Sequence, residues 1–213
     1  RNTIFHFHPR ILIEKTGELK KDFLKYALPV VCNEIMWGAG FTAITAILGH
    51  LGSPVVAANS VAQVVRNLAT VVSFGVANAA GVMIGKVLGE NRLDLAEMYG
   101  KETLKLCTIT GIIGSCVVLS VRPILLQTME ISTQASAYLS MMLFVMAYFV
   151  FFQSINATLI CGVFRSGGDT KFGLLIDSFF MWGTSIGIGF FSAFVLKLDV
   201  TIVYVILMSD ELL

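Results

Sequence analysis

Apolar residues run through this chain in long blocks separated by short polar connectors. The blocks at 24–51, 55–86, 103–121, 135–163 and 172–195 are all of similar scale. A helix needs about 20 largely apolar residues to cross about 30 Å of hydrocarbon, and each block supplies them. A sixth block opens near residue 200, where Asp210 and Glu211 interrupt it before Leu213. The sixth span therefore reads as cut short. The pattern predicts an all-α, polytopic transmembrane helix bundle.

The connectors support this count independently. Residues 1–25 hold six Lys/Arg, 86–105 hold four and 164–171 hold two, against only Arg122 and Lys197 in the connectors on the other side. Twelve against two is the asymmetry expected of cytoplasmic and outer loops. The N-terminal segment is thus expected in the cytoplasm of a multi-pass plasma-membrane protein, with the first span running outwards. Ahead of it, "GELKKDFLKYALP" (17–29) places Leu19, Phe23 and Tyr26 at helical spacing among lysines. That spacing predicts an amphipathic lead-in at the interface before Pro29 opens the span.

Composition narrows the class further. The chain is 56% hydrophobic and 14% charged, whereas soluble domains carry roughly 25% charged residues. So few charges cannot cover a soluble exterior. A net charge of +1 gives no footprint for nucleic acid. Cys32, Cys107, Cys116 and Cys161 are scattered through apolar blocks without CxxC spacing, so they read as small buried hydrophobes. There is no secretory signal, and the chain opens on Arg1, which predicts a piece of a longer protein. Gly38, Gly40, "GIIG" (111–114) and "GTSIG" (183–187) are of the kind that let helices approach closely in lipid.

The candidate chemistry lies among polar residues inside the spans. Glu34 is about ten residues, or roughly 15 Å, into the first span, and Arg66 about eleven residues, or roughly 17 Å, into the second. Both depths reach the midplane. Charges there cost about 2.5–3.5 kcal/mol on insertion scales, so the two are expected to face each other or share a wet cavity. An ion pair that only fixes packing is the plainer alternative, although buried pairs stabilise poorly against apolar substitutes. Asn59, Gln63, Arg66 and Thr70 share one face of the second helix. Gln153 and Asn156 add polar groups on the fourth, and Asp177 on the fifth, nearer the cytoplasm. "HFH" (6–8) lacks further metal ligands, and "RSGGDTK" (165–171) lacks the order of a nucleotide loop. The latter suits a tight turn with Asp169 capping the next helix. No nucleophile–base or paired-carboxylate set emerges, so no enzyme is expected.

Four motifs carry a family resemblance across about residues 22–213. "LPVVCNEIMWGAG", "GHLGSPVVAANSVAQVV", "GKVLGENRLDLAEMYG" and "GVFRSGGDTKFGLLIDSFFMWG" occur in that order. Together they resemble the seventh helix, the turn into the eighth, the exit from the eighth and the loop between the tenth and eleventh helices of multidrug and toxic compound extrusion (MATE) transporters. "VYVILMSDELL" resembles the start of the twelfth. The resemblance implies that residues 23–213 form one six-helix lobe of a two-lobe transporter. Residues 1–22 would then be the cytoplasmic linker from a missing N-terminal lobe. It implies secondary active multidrug efflux, exchanging Na⁺ or H⁺ for small organic cations or other xenobiotics, with no cofactor. In some members a Glu on the seventh helix and an Asp on the tenth bind the cation. Glu34 matches the first of these, which implies a Na⁺ site there. The matching tenth helix holds Gln153 and Asn156 but no acid. Related lobed exporters flip lipid-linked or polysaccharide precursors, usually through strongly cationic cavities, and are the alternative. A non-transporting fragment is a further one.

Overall fold

A computed structural model describes residues 17–212. The His6/His8 pair and residues 1–16 of the linker lie outside the described residues, as does the side chain of Leu19. Six helices follow in chain order. They are α1 (Gly17–His50), α2 (Ser53–Gly89), α3 (Leu93–Thr128), α4 (Thr133–Gly167), α5 (Thr170–Val195) and α6 (Val200–Leu207). The first five are long and apolar enough to cross a membrane. The sixth runs eight residues.

The helices outrun their apolar blocks, most of all α3, which begins ten residues before the block at 103–121. Its 36 residues span about 54 Å at 1.5 Å each, well beyond a hydrocarbon core. The extra turns are stabilised by polar chemistry: Lys101 Nζ donates to Glu97 at 2.5 Å and Lys105 Nζ to Glu102 at 2.7 Å. A small apolar cluster of Ala80, Ile84, Val87 and Ala96 joins this projecting part to the end of α2. At the other end of the chain's logic, α1 does not start at Pro29. It begins at Gly17 and continues through the proline, so residues 17–22 of the expected linker are its first turns.

The turns are closed by main-chain hydrogen bonds. At the end of α4, Asp169 N–H donates to Phe164 O at 3.0 Å and Gly168 N–H to Arg165 O at 3.3 Å. This paired 6→1 and 5→2 pattern needs a left-handed residue, and Gly168 takes it with φ 83°. Asp169 then caps α5 by accepting from Phe172 N–H at 3.4 Å. The end of α2 repeats the pattern with Asn91 at φ 57°, a residue that tolerates this region better than most.

The core forms around α4. Half of its apolar window is buried, against 17–28% for the other spans, so it is the central helix and lipid meets the rest. Against it pack α2 and α3, at positions where small residues permit contact. A Cβ on Gly111 would lie 3.1 Å from Ser154 Cβ, and one on Gly114 would lie 3.0 Å from both Ala69 O and Val150 Cγ1. Polar bonds cross the same seams, with Ser115 Oγ donating to Ala147 O at 2.6 Å and Ser73 and Thr110 sharing a hydrogen bond at 3.0 Å. Gly40 likewise admits Met181 of α5. Gly38 and the "GTSIG" pair do not act this way. Gly38 has open space, Gly183 meets only Phe179 of its own helix, and Gly187 meets the carbonyl of Trp182. Small size allows close approach only where another helix arrives.

Two of the long helices are interrupted by π-helical turns, at Thr158–Phe164 in α4 and at Phe179–Ile186 and Phe191–Val195 in α5. Such turns are rare and concentrate at functional sites. Here they begin just beyond Asn156 and Asp177.

One cap carries a pH signature. Asp199, in the connector before α6, accepts from Thr201 N–H at 2.8 Å, and this hydrogen bond holds its carboxyl below the usual carboxylate value. Because the folded state favours the ionised form, the cap's contribution is complete above the ordinary carboxylate pKa of about 4 and is lost as pH falls through the lower folded value. The protection factors of the Thr201–Val203 amides are therefore expected to fall on acidification below pH 4. Asp199→Asn should remove that dependence while keeping the cap.

Candidate functional site

Two cavities with polar groups in their walls flank α1. The first, of about 260 Å³, lies between α1, α4, α5 and the residues after α6. Asp177 of α5 is its best-determined group: one carboxylate oxygen accepts from Asn33 Nδ2 at 3.0 Å and from Trp37 Nε1 at 3.1 Å. Asn33 and Trp37 are four apart, one turn on the same face of α1, so a single acid ties that face to α5. Across the cavity, Asn156 Nδ2 donates to Glu211 at both its side-chain Oε2 (2.9 Å) and its main-chain O (2.8 Å). Asp210 joins the lining with a buried Oδ1 that has no hydrogen-bond partner.

The second is a cleft of about 290 Å³ between α1, α2 and α4, lined by Glu34, Arg66, Asn67, Thr70, Gln153 and three aromatic rings. The two charges share it without touching. Glu34 Oε1 instead accepts from Arg165 Nη2 at 2.6 Å, with the Glu34 side chain 58% exposed and that of Arg165 24%. Helix direction explains the divergence. Cβ atoms tilt toward the N-terminus of their helix, and α1 and α2 run antiparallel. Glu34 therefore leans toward the N-terminal end of α1, where Arg165 closes α4, while Arg66 leans toward the α1–α2 turn. Its guanidinium lies 4.4 Å from the Phe41 ring centroid and 6.0 Å from that of Phe149. Its side-chain hydrogen bond goes to Asn67 Oδ1 at 3.3 Å.

The residues expected from sequence are thus divided. Glu34, Arg66 and Gln153 line the cleft, and Asp177 and Asn156 line the cavity. Gln153 is buried with its Oε1 unpartnered. Asn59 and Gln63 line neither. Asn59 is buried nearer the α1–α2 turn, and Gln63 Nε2 donates across to Thr45 Oγ1 at 3.4 Å. Sequence reading missed Asn33, Trp37, Asn67 and Arg165, and it took Asp210 and Glu211 only as an interruption. The signal for Arg165 was its place at the basic end of α4, the end toward which Glu34 leans. Among the described residues, no three His, Cys, Asp or Glu converge to hold a metal ion. At Glu34 a Na⁺ ion would meet one carboxylate that already has a guanidinium on it.

Comparison with known proteins places this arrangement. The chain is 26% identical over 179 residues to the probable multidrug resistance protein NorM of Xylella fastidiosa strain Temecula1, covering 83% of this chain and 38% of that protein. It is equally similar to NorM of strain 9a5c. The chain therefore spans about two-fifths of the length of the curated relatives it matches. Three solved structures share the fold. A mutant MATE protein superposes with a TM-score of 0.80 at 16% identity, over 93% of this chain and 44% of its own. A MOP superfamily transporter from Pyrococcus furiosus gives 0.77 at 17%, over 91% and 42%. An outward-facing multidrug resistance MATE transporter gives 0.73 at 18%, again over 91% and 42%. At these identities the likeness is one of fold. The MatE family model matches residues 29–195, from Pro29 through the last turn of α5, and the chain belongs to that family.

Proposed function

We propose that this chain is the C-terminal lobe of a secondary active multidrug exporter in the plasma membrane, with its N-terminal segment in the cytoplasm. It exchanges Na⁺ or H⁺ for an organic cation or other xenobiotic, and works with a second lobe of the same polypeptide. The observation that carries this reading is the Glu34–Arg165 pair. A carboxylate within an apolar span, open to a cleft and neutralised by a side chain from another helix, is a place where cations can be traded. A proton on Glu34, or a cation beside it, takes over the neutralising role and releases Arg165. Rocking of one lobe against the other then presents the cleft to either side. The names of the relatives support multidrug efflux as the task.

Gln153 and Asn156 supply neutral hydrogen-bonding groups at the two cavities, and Asp177 fixes α1 against α5 while facing the inner one. Asn59 and Gln63 serve packing between α1, α2 and their neighbours. The experiment is ethidium efflux from proteoliposomes holding the complete transporter that contains this lobe, driven separately by Na⁺ and by pH gradients. Glu34→Gln is expected to lower the driven rate at least tenfold, and the gradient that drives the parent names the coupling ion. Equal rates in parent and variant would remove Glu34 from coupling.

A further inference from the structure

A pair of adjoining grooves runs along α4, apart from the two cavities described above. The first, of about 520 Å³, lies between the end of α3, the first half of α4 and α6. The second, of about 400 Å³, lies between α3 and the middle of α4. Phe144, 67% exposed, belongs with Tyr148 to the walls of both. Carbon dominates the second groove. Its hydroxyls, on Ser115 and Tyr148, donate to the main-chain oxygens of Ala147 and Met208 at 2.6 and 3.1 Å. The first groove differs by one charge. Arg122, within two turns of the end of α3, donates from Nε to Ser140 O at 3.1 Å and from Nη2 to Ser140 Oγ at 2.5 Å. These bonds fix the guanidinium against α4. A guanidinium has five N–H donors, so most remain for another acceptor. Among the described residues, no Asp or Glu oxygen lies within 4.0 Å of Arg122, and neither groove has an acid in its wall. A cation without a counter-charge thus stands at the α3–α4 end of two apolar troughs.

We infer that these grooves bind an anionic glycerophospholipid, with its phosphate on Arg122 and one acyl chain in each groove. Charge selects the headgroup. The remaining N–H groups of Arg122 match a phosphate with charge-assisted bonds, and basic pockets between membrane helices hold anionic headgroups in this way. The ammonium of a zwitterionic lipid finds no carboxylate in either wall. Length selects a lipid over free phosphate. Ser140 to Phe151 is a stretch of α4 that covers about 16 Å at 1.5 Å per residue, and one leaflet is half of a hydrocarbon core about 30 Å thick. A chain hung from Arg122 therefore reaches the end of the carbon walls where its own leaflet ends. Thr201 and Val205 complete the first groove, so the lipid also clamps the short α6 against α3 and α4.

The test is native mass spectrometry of the complete transporter that contains this lobe, titrated in detergent with dioleoyl phosphatidylglycerol or dioleoyl phosphatidylcholine. The parent is expected to hold phosphatidylglycerol at least tenfold more tightly. Arg122→Gln should weaken phosphatidylglycerol at least tenfold and leave phosphatidylcholine within twofold of the parent, which also shows that the variant is folded. Arg122→Lys, with the charge but not the fork, should fall between. Cys116 is exposed in the second groove, and Cys116→Phe fills that groove without touching Arg122. It should weaken the two-chain lipid at least threefold and leave single-chain lysophosphatidylglycerol within twofold. Equal retention of the two dioleoyl lipids by the parent overturns the inference. So does an Arg122→Gln variant that loses both lipids alike or keeps both. Displacement of the lipid by millimolar inorganic phosphate would identify a free-anion site and sink it as well. If Arg122→Gln does not fold, Cys116→Phe decides, and equal weakening of the one-chain and two-chain lipids counts against the paired grooves.

Discussion

Gly114→Leu is expected to prevent assembly of the lobe. The position faces two helices at once, with the Ala69 carbonyl of α2 and the Val150 side chain of α4 each 3.0 Å from where a Cβ would stand. One of those neighbours is main chain and cannot rotate away. Overpacking a formed core costs typically 1–3 kcal/mol. Here a four-carbon side chain must separate α3 from both α2 and α4, so about 3 kcal/mol or more is expected. Thermal unfolding in detergent and size-exclusion profiles would show it as loss of the monodisperse folded species. Gly100→Ala is the matched control. Nothing lies within 4 Å of that Cβ, and the substitution should stabilise the helix by about 0.5–1 kcal/mol. A stable, monodisperse Gly114→Leu protein would mean that α3 does not pack as described.

The second large effect is at Asp177. Alanine there removes the acceptor for Asn33 and Trp37 together. Leaving a buried donor unsatisfied costs about 1–3 kcal/mol. With two donors beside a cavity that admits some water, about 2–3 kcal/mol of lost stability is expected. Asp177→Asn keeps an oxygen in place and should lose less than half as much. The measurement is again thermal unfolding, read with Trp37 emission. That emission should shift to the red in the alanine variant, as α1 loosens from α5 and the indole gains water. Alanine and asparagine variants of equal stability would show that water already serves both donors.

The spans were open to sequence reading because lipid imposes a one-dimensional rule: every crossing helix must be long and apolar. Even so, charged residues such as Glu97 and Lys101 hid ten residues of α3, since helices do not stop where hydrophobicity does. The site was only partly visible for a different reason. Depth set Glu34 and Arg66 level with each other, but depth does not give direction. Glu34 finds Arg165 across 131 residues and Asp177 finds Asn33 across 144, and such partners follow from which helices adjoin. Trp37 was concealed by its own chemistry, because an indole counts as apolar in a hydropathy profile while its N–H binds a carboxylate. The glycines teach the same lesson, since "GTSIG" has the spacing of a contact motif but no helix meets it.

The passage of α1 through Pro29 has a mechanical meaning. Proline has no N–H, so the carbonyl of Lys25 lacks its helical donor and the rod is most compliant there. Below that joint lie Lys20, Lys21 and Lys25, and within a turn and a half above it lie Asn33 and Glu34. The helix is thus two rigid levers in series. Bending at that joint is taken up by the lower segment while the upper stays pinned through Asn33 and Trp37 to α5.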